Sequence, residues 1–203
     1  MRAKYDTEAT KTVGLVNAIR EEAKTGRVRC DVFWNNEPMH TIRLKKEGIL
    51  QPYESPEAKA YPKHFRDPDN MWTGFAGRAR VLIVNTELVA EDERPDSVFD
   101  LTKPEWKGKV GIAKPLFGTT VTHVACLWAK LGPEKTKQFF NDLKANDVTV
   151  CGSNRDSARQ VGQGALHIGF TDNDDYLAEK SGGAPVDIIY PDSDKDQIGT
   201  LFL

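Results

Sequence analysis

Short apolar segments alternate along this chain with longer segments that carry an apolar stripe at helical spacing, and this alternation constrains the fold more than any other feature. The apolar segments RARVLIVNT, VGIA, VTVCG and ALHIGF are predicted strands, and RARVLIVNT is apolar enough for the middle of a sheet. The segments GTTVTHVACLWAKLG, PEKTKQFFNDLKAND, SNRDSARQVGQG and NDDYLAEKSGG are predicted helices. Such alternation predicts an α/β fold built on parallel sheets.

The first part of the chain does not show this regular alternation of strands and helices. A helix is predicted over EATKTVGLVNAIREEAKT and a second over PMHTIRLKKEGIL, with Gly26 and Gly48 as their end signals. The short apolar segment RCDVFW between them is predicted to be a strand. A proline-rich stretch follows over residues 52–68 and has no clear periodicity.

Composition restricts the class of protein. The 203 residues suit one large domain or two small ones, and 39% hydrophobic with 29% charged residues is typical of globular proteins. A formal net charge of -2 gives no reason to expect nucleic acid or an anionic membrane as a partner. No apolar run approaches the ~20 residues of a membrane helix, and the first residues lack an apolar signal core. The three cysteines have no C-x-x-C spacing, and a disulfide between two of them stays an open alternative.

Polar residues follow several predicted strands, at the position where ligands bind in α/β folds. Asn36 and Glu37 follow DVFW and offer amide groups and a charge. Thr119 and Thr120 follow VGIA at a helix start opened by Gly118. This helix start is either an anion site or an ordinary threonine cap.

The next two strand ends carry charge. Asn154 and Arg155 follow VTVCG, where Arg155 is suited to clamp a carboxylate or phosphate, or the residues merely cap a helix. Asp172, Asp174 and Asp175 follow HIGF, where an N-cap at Asp172 and the helix dipole explain part of the charge. Their crowding at one strand end also suits a hard cation, an ammonium group or an arginine.

Several segments in order resemble the periplasmic solute-binding proteins of iron(III)-type ABC importers. They are DVFWNNEPMHTIRLKKEGIL, MWTGFAGRARVLIVNT, LTKPEWKGKVGIAKPLFGTT, SNRDSARQVGQGALHIGFTDNDD and PVDIIYPD with the later GTLFL. The resemblance implies two α/β lobes with parallel or mixed sheets, joined by crossing strands of which RARVLIVN is the first. It implies no catalysis: the protein captures a solute outside the cytoplasm and delivers it to a membrane permease.

The resemblance also implies which residues contact the solute. Asn36 and Glu37 would belong to the first lobe, and Thr119, Thr120, Asn154 and Arg155 to the wall of the second. Asp174 and Asp175 take the places of the adjacent tyrosines that hold Fe(III) in ferric-binding members, and Tyr176 follows them. One of Arg78 and Arg80 is expected to face the ligand and the other to be a surface charge.

Because aspartates stand here in place of the tyrosines of ferric-binding members, two kinds of solute are consistent with the sequence. If the solute is Fe(III), Glu37, Asp174 and Asp175 are its candidate ligands; no other cofactor is expected. An anionic or zwitterionic organic solute is the competitor, with the aspartates on its cation and the Gly118 helix start on its anion. A metal-dependent hydrolase using the aspartates and a folded remnant that binds nothing are the rival functions.

The resemblance predicts lobe boundaries as well. One lobe is expected over residues 1–84 plus 190–203 and the other over residues 85–189. Relative to the family, segments at both ends are expected to be missing, which would leave the first lobe incomplete. Such a lobe would expose apolar surface and a strand edge, which predicts a homodimer that covers them.

Overall fold

The computed structural model describes residues 11–36, 38–116, 118–192 and 199–200. Contacts divide the chain into two compact units, Met1–Gly77 and Arg78–Leu203. The division therefore falls before the crossing segment, whose residues 80–84 were predicted to belong to the first lobe. The membership of the two lobes stays a prediction.

The first unit is built from helices α1 (Lys11–Thr25) and α2 (Pro38–Lys46) and two short 3₁₀ helices, Pro56–Ala60 and Lys63–Phe65. Both predicted helices are confirmed. They end at Gly26 and Gly48, whose φ values of 66° and 68° are strained for any residue with a Cβ. Arg20 on α1 donates two hydrogen bonds of 2.7 Å to Glu47, just after α2.

The predicted strand RCDVFW is wrong, because these residues form no strand although all of them are described. A strand needs a neighbour with which to exchange backbone hydrogen bonds. Here the N–H groups of Arg29 and Cys30 donate instead to the carboxylate of Glu22, at 2.9 and 3.1 Å. Val32 and Trp34 are 73% and 75% exposed, in line with the apolar surface expected of this part of the chain.

The second unit contains a mixed five-stranded sheet. Its strands are β1 (Arg80–Asn85), β2 (Val110–Ala113), β3 (Thr149–Cys151), β4 (Ile168–Asp172) and β5 (Val186–Ile189). Their spatial order is β3-β2-β4-β1-β5. Strand β2 is parallel to β3 and β4, whereas β1 is antiparallel to β4 and β5. The predicted strands of this unit are confirmed, and β1 is buried along its whole length as its apolar sequence predicted.

Helices cover both faces of the sheet. They are α3 (Gly118–Leu131), α4 (Pro133–Ala145), α5 (Asn154–Gly162) and α6 (Asn173–Ser181), with 3₁₀ helices at Glu91–Glu93, Val98–Thr102 and Pro104–Trp106. Side chains of β1 alternate between two apolar clusters, as the period of a strand requires. Leu82 and Val84 pack with Leu127 and Phe139 on one face. Ile83 packs with Val161 and others on the opposite face.

Two adjacent glycines let α5 approach the sheet closely. Gly111 of β2 and Gly169 of β4 are neighbours in register. The Ser157 hydroxyl of α5 donates to the Gly111 carbonyl at 3.2 Å. A Cβ at Gly169 would lie 2.7 Å from the Ser157 Oγ and 3.0 Å from a Val161 methyl carbon. This close packing fixes the position of Asn154, the first residue of α5.

Two further expectations concern the chain as a whole. Within the described ranges, no helix combines the length and apolar character needed to cross a bilayer. Cys30, Cys126 and Cys151 are all free thiols, so the alternative of a disulfide is wrong.

Candidate functional site

Three helices begin at one edge of the sheet in the second unit. The parallel strands β2, β3 and β4 end there, and α3, α5 and α6 follow them. The carboxyl ends of parallel strands are where α/β folds place ligands. The residues that meet at this edge are called here the polar cluster: Arg78, Arg80, Thr119, Thr120, Asn154, Asp172, Asp174 and Asp175.

Asp172 lies at the centre of the polar cluster. Its Oδ1 accepts a hydrogen bond from Arg80 Nη1 at 2.8 Å, and its Oδ2 accepts from Thr119 Oγ1 at 2.7 Å and from Asn154 Nδ2 at 3.0 Å. Thr120 Oγ1 in turn donates to Asn154 Oδ1 at 2.9 Å. A single carboxylate thus connects β1, β4 and the first turns of α3 and α5.

Among the residues that the structure describes, Arg80 is the largest fully buried side chain, with no exposed surface. Its guanidinium lies 4.3 Å from the centre of the Phe170 ring, a cation–π distance. Burial lowers the pKa of Arg80, and the neighbouring Asp172 carboxylate acts in the opposite direction. Because arginine keeps its charge in proteins, Arg80 and Asp172 form a buried ion pair. The expectation that one of the two arginines is a surface charge is wrong for Arg80.

Asp174 and Asp175 occupy the first turn of α6 and are called here the acidic pair. Arg78 Nη2 lies 2.9 Å from Asp174 Oδ2, and Asp175 Oδ2 accepts from the Thr171 hydroxyl at 3.3 Å. Among the residues described, Asp174 Oδ1 has no hydrogen-bond partner. One carboxylate oxygen from each of Asp172, Asp174 and Asp175 lies within 4.8 Å of the others.

Burial and the nearby negative charges change the ionisation of Asp175. Burial, and then the charges of Asp174 and Asp172, raise the pKa of Asp175 to about 6. The hydrogen bond from Thr171 and the charge of Arg78 act against this shift. A cation bound at the acidic pair would therefore favour the ionised form of Asp175.

Helix capping explains less of this charge than the sequence indicated. Ser153 caps α5 by accepting from the Asp156 N–H at 3.1 Å. Asp172 has the extended backbone of an N-cap for α6, but its side chain accepts no capping hydrogen bond. The Asn173 side chain accepts instead from the Ala79 N–H at 2.9 Å. Asp172 is therefore held by Arg80, Thr119 and Asn154, and not by α6.

The structure does not bring all the predicted site residues together. Arg155 is exposed and lies 3.5 Å from Glu179. Tyr176 packs against the apolar cluster of Ile83 and Val161. Asn36 is exposed in the first unit, and Glu37 lies outside the described residues, so the roles predicted for these two stay predictions.

Sequence reasoning missed the importance of Arg80. A signal was present, because Arg80 starts a continuous apolar strand, and a charge that is buried with such a strand needs a partner. Thr171 was also missed, since threonine in a buried strand is unremarkable by pattern alone. Two acceptors lie within hydrogen-bonding distance of its hydroxyl, the Asn154 carbonyl oxygen at 3.0 Å and Asp175 Oδ2 at 3.3 Å.

Comparison with known proteins shows the family to which the chain is similar. A model of the family described as bacterial extracellular solute-binding protein matches residues 35–193. Iron uptake protein A1 from Synechocystis is 30% identical over 151 residues, which are 71% of this chain and 42% of that protein. The chain spans about half or less of the curated relatives it matches, 51%, 42% and 41% for the first three.

Solved structures share the fold. Iron-bound HitA from Pseudomonas aeruginosa superposes with a TM-score of 0.78 at 28% identity, covering 88% of this chain and 57% of that one. The periplasmic binding protein AfuA from Actinobacillus pleuropneumoniae, with fructose-6-phosphate bound, gives 0.70 at 26% identity, covering 88% and 58%.

These relatives are binding proteins, not enzymes, which disfavours the hydrolase alternative. A further relative, from Sinorhizobium fredii, is described as a probable ABC transporter periplasmic-binding protein. The relatives give no support to the expected homodimer. The family match covers most of the chain, and the solved structures share its mixed α/β fold. The chain belongs to the family of bacterial extracellular solute-binding proteins.

Proposed function

We propose that this chain captures a small solute for an ABC importer and that the acidic pair is its contact with the solute. One observation carries the proposal: the ends of β2, β3 and β4 place Thr119, Asn154 and the aspartates at one edge of the sheet. The acidic pair is half-buried and accessible, while the rest of the polar cluster holds it in place. Delivery to a membrane permease from an extracytoplasmic compartment is the corresponding role of the whole protein.

Ferric iron is the solute that this arrangement supports best. Carboxylate oxygens are hard, anionic donors that suit a hard cation, and Asp174 and Asp175 offer them within 4.8 Å of one another. Relatives named for ferric iron binding support the same choice. In this chain carboxylates would replace phenolates as the iron ligands, with Glu37 as a predicted further ligand.

A phosphorylated or zwitterionic organic solute is the second candidate, and Arg78 favours it. Arg78 is 40% exposed at its side chain and lies beside the acidic pair, so a cation and two carboxylates are presented together. Such a pattern suits a solute with both signs of charge. The relative AfuA, with fructose-6-phosphate bound, supports an organic anion as part of the solute.

Calorimetric titration separates these candidates. Wild-type protein would be titrated with ferric nitrilotriacetate, inorganic phosphate, fructose-6-phosphate, an aminophosphonate and an amino acid, with nitrilotriacetate alone as the blank. Saturable heat with the ferric complex supports the iron proposal, and saturable heat with an organic solute alone supports the second candidate. The absence of saturable heat with every one of these solutes would contradict solute capture by this chain. Glu37→Gln in the same titration tests the role predicted for Glu37.

A further inference from the structure

Donors from three parts of the second unit converge on Asp172. They are the Arg80 guanidinium, the Thr119 hydroxyl and the Asn154 amide, at 2.7 to 3.0 Å from its two oxygens. Thr119 and Asn154 stand at the first turns of α3 and α5, where the helix dipole is positive. An arginine, two neutral donors and two helix N-termini are the surroundings that proteins use to bind an anion.

Burial shows that Asp172 belongs to this cradle of Arg80, Thr119 and Asn154. Asp172 is 1% exposed and Arg80 is 0% exposed. Arg80 Nε and Nη2 have no hydrogen-bond partner among the described residues, so Asp172 is the carboxylate that compensates the Arg80 charge. Asp174, by contrast, has a side chain that is 45% exposed.

We propose that the cradle is an anion-binding site that the chain fills with its own Asp172. Asp172 is then a positioning residue: it fixes the starts of α3 and α5 and does not contact the solute. This inference rests on the proposed function and sharpens it, because the position predicted for the anionic group of a solute is already occupied.

The charge balance gives the consequence for specificity. Arg80 lies 2.8 Å from Asp172 and cancels its charge, while Arg78 lies 3.9 Å from Asp172 and 2.9 Å from Asp174. Arg78 therefore pairs chiefly with the acidic pair, at the accessible part of the cluster. The accessible part therefore carries one more negative than positive charge when both carboxylates are ionised. It selects a metal cation or the positively charged end of a solute, and an oxyanion alone finds no free place in the cradle.

Chemical rescue tests the proposal without any solute. Asp172→Ala removes the carboxylate and leaves Arg80 buried without its partner, so the melting temperature should fall by roughly 10 °C. Sodium formate supplies a carboxylate small enough for the vacated position. It should restore part of the loss in a saturable way, whereas sodium chloride at equal ionic strength should not. Asp174→Ala is the control, and formate should change its melting temperature no more than chloride does.

Two results would overturn the proposal. One is an Asp172→Ala protein that melts like the wild type, and the other is formate that stabilises it no more than chloride does. If Asp172→Ala is unfolded in chloride, its circular dichroism in formate decides: recovery of the folded spectrum supports the cradle, and no recovery contradicts it. Because no solute is present, these results are independent of the titrations that test solute capture.

Discussion

Arg78 and Asp174 form an ion pair, with Nη2 and Oδ2 2.9 Å apart, next to the carboxylate of Asp175. Both side chains are less than half exposed, at 40% and 45%. A cation that binds the acidic pair must therefore compete with Arg78 for Asp174. This competition makes Arg78 the residue whose replacement distinguishes the two kinds of solute.

Replacing Arg78 should strengthen the binding of a metal cation. Arg78→Gln removes the competing charge, and an exposed ion pair of this kind is worth up to about 1 kcal/mol, so affinity for the ferric complex should rise by roughly two- to fivefold. Arg155→Gln is the matched control, because Arg155 lies beside Glu179 and should leave affinity unchanged. A fall in affinity on Arg78→Gln, measured by calorimetry, would instead indicate that Arg78 binds an anionic group of the solute.

Neutralising the acidic pair should weaken solute binding. Asp174→Asn and Asp175→Asn each remove one anionic oxygen donor, and each should lower affinity for the ferric complex by roughly tenfold or more. Asp187→Asn, on β5 and paired with Arg94, serves as the control and should bind as the wild type does. Wild-type affinity in both single variants would show that the solute binds elsewhere.

The raised pKa of Asp175 predicts a pH-dependent change in stability. Between the ordinary value of 3.8 and about 6 the folded protein binds more protons at this group than the unfolded chain does. Stability contributed by this group therefore falls as pH rises through that window, and the cost is fully present at pH 7. Asp175→Asn should stabilise the protein at neutral pH by about 1–2 kcal/mol, after allowance for solvent screening, and the gain should vanish near pH 4.

Urea unfolding at several pH values measures this effect. Asp156→Asn is a control of opposite sign, because the hydrogen bond from Arg159 lowers the pKa of Asp156. That variant should be less stable than the wild type at neutral pH and should approach it in acid. An Asp175→Asn variant with no gain at pH 7 would contradict the described burial of Asp175 beside Asp174 and Asp172.

The glycines beneath α5 predict a packing effect. Gly169→Ala would place a Cβ within 2.7 to 3.0 Å of Ser157, Ile83 and Val161, which over-packs the interface and should cost about 1–3 kcal/mol of unfolding free energy. Gly152→Ala is the matched control, since its nearest neighbouring atom would lie 3.8 Å away. Equal urea midpoints for the two variants would mean that α5 does not pack as closely as described.

Much of the second unit could be predicted from the sequence, because its signals are local. Apolar runs gave β1, β2 and β4, and glycine and proline near Gly132 marked the boundary between α3 and α4. The strand predicted at RCDVFW failed because strand formation depends on a neighbour, and no local pattern reports whether a neighbour is present. The antiparallel pairing of β1 is likewise a tertiary property that periodicity cannot reveal.

The location of the site could be predicted from the sequence, but the contacts between its side chains could not. The strand-end rule selected Thr119, Asn154 and Asp172, which the structure brings into hydrogen-bonding contact. The rule could not show that Asp172 is buried against Arg80, since these two residues are far apart in sequence. Nor could it show the direction of Tyr176, whose position on α6 turns its ring toward an apolar cluster.

The most direct test of the account is a map of where the solute binds. Backbone amide shifts of the isotope-labelled protein would be followed by NMR during titration with the Ga(III) complex of nitrilotriacetate, a diamagnetic substitute for the ferric complex. The account predicts saturable shifts concentrated at residues 118–120, 154 and 171–176, and their loss in Asp174→Asn. Saturable shifts centred elsewhere, with these residues unchanged, would contradict solute binding at the edge where β2, β3 and β4 end.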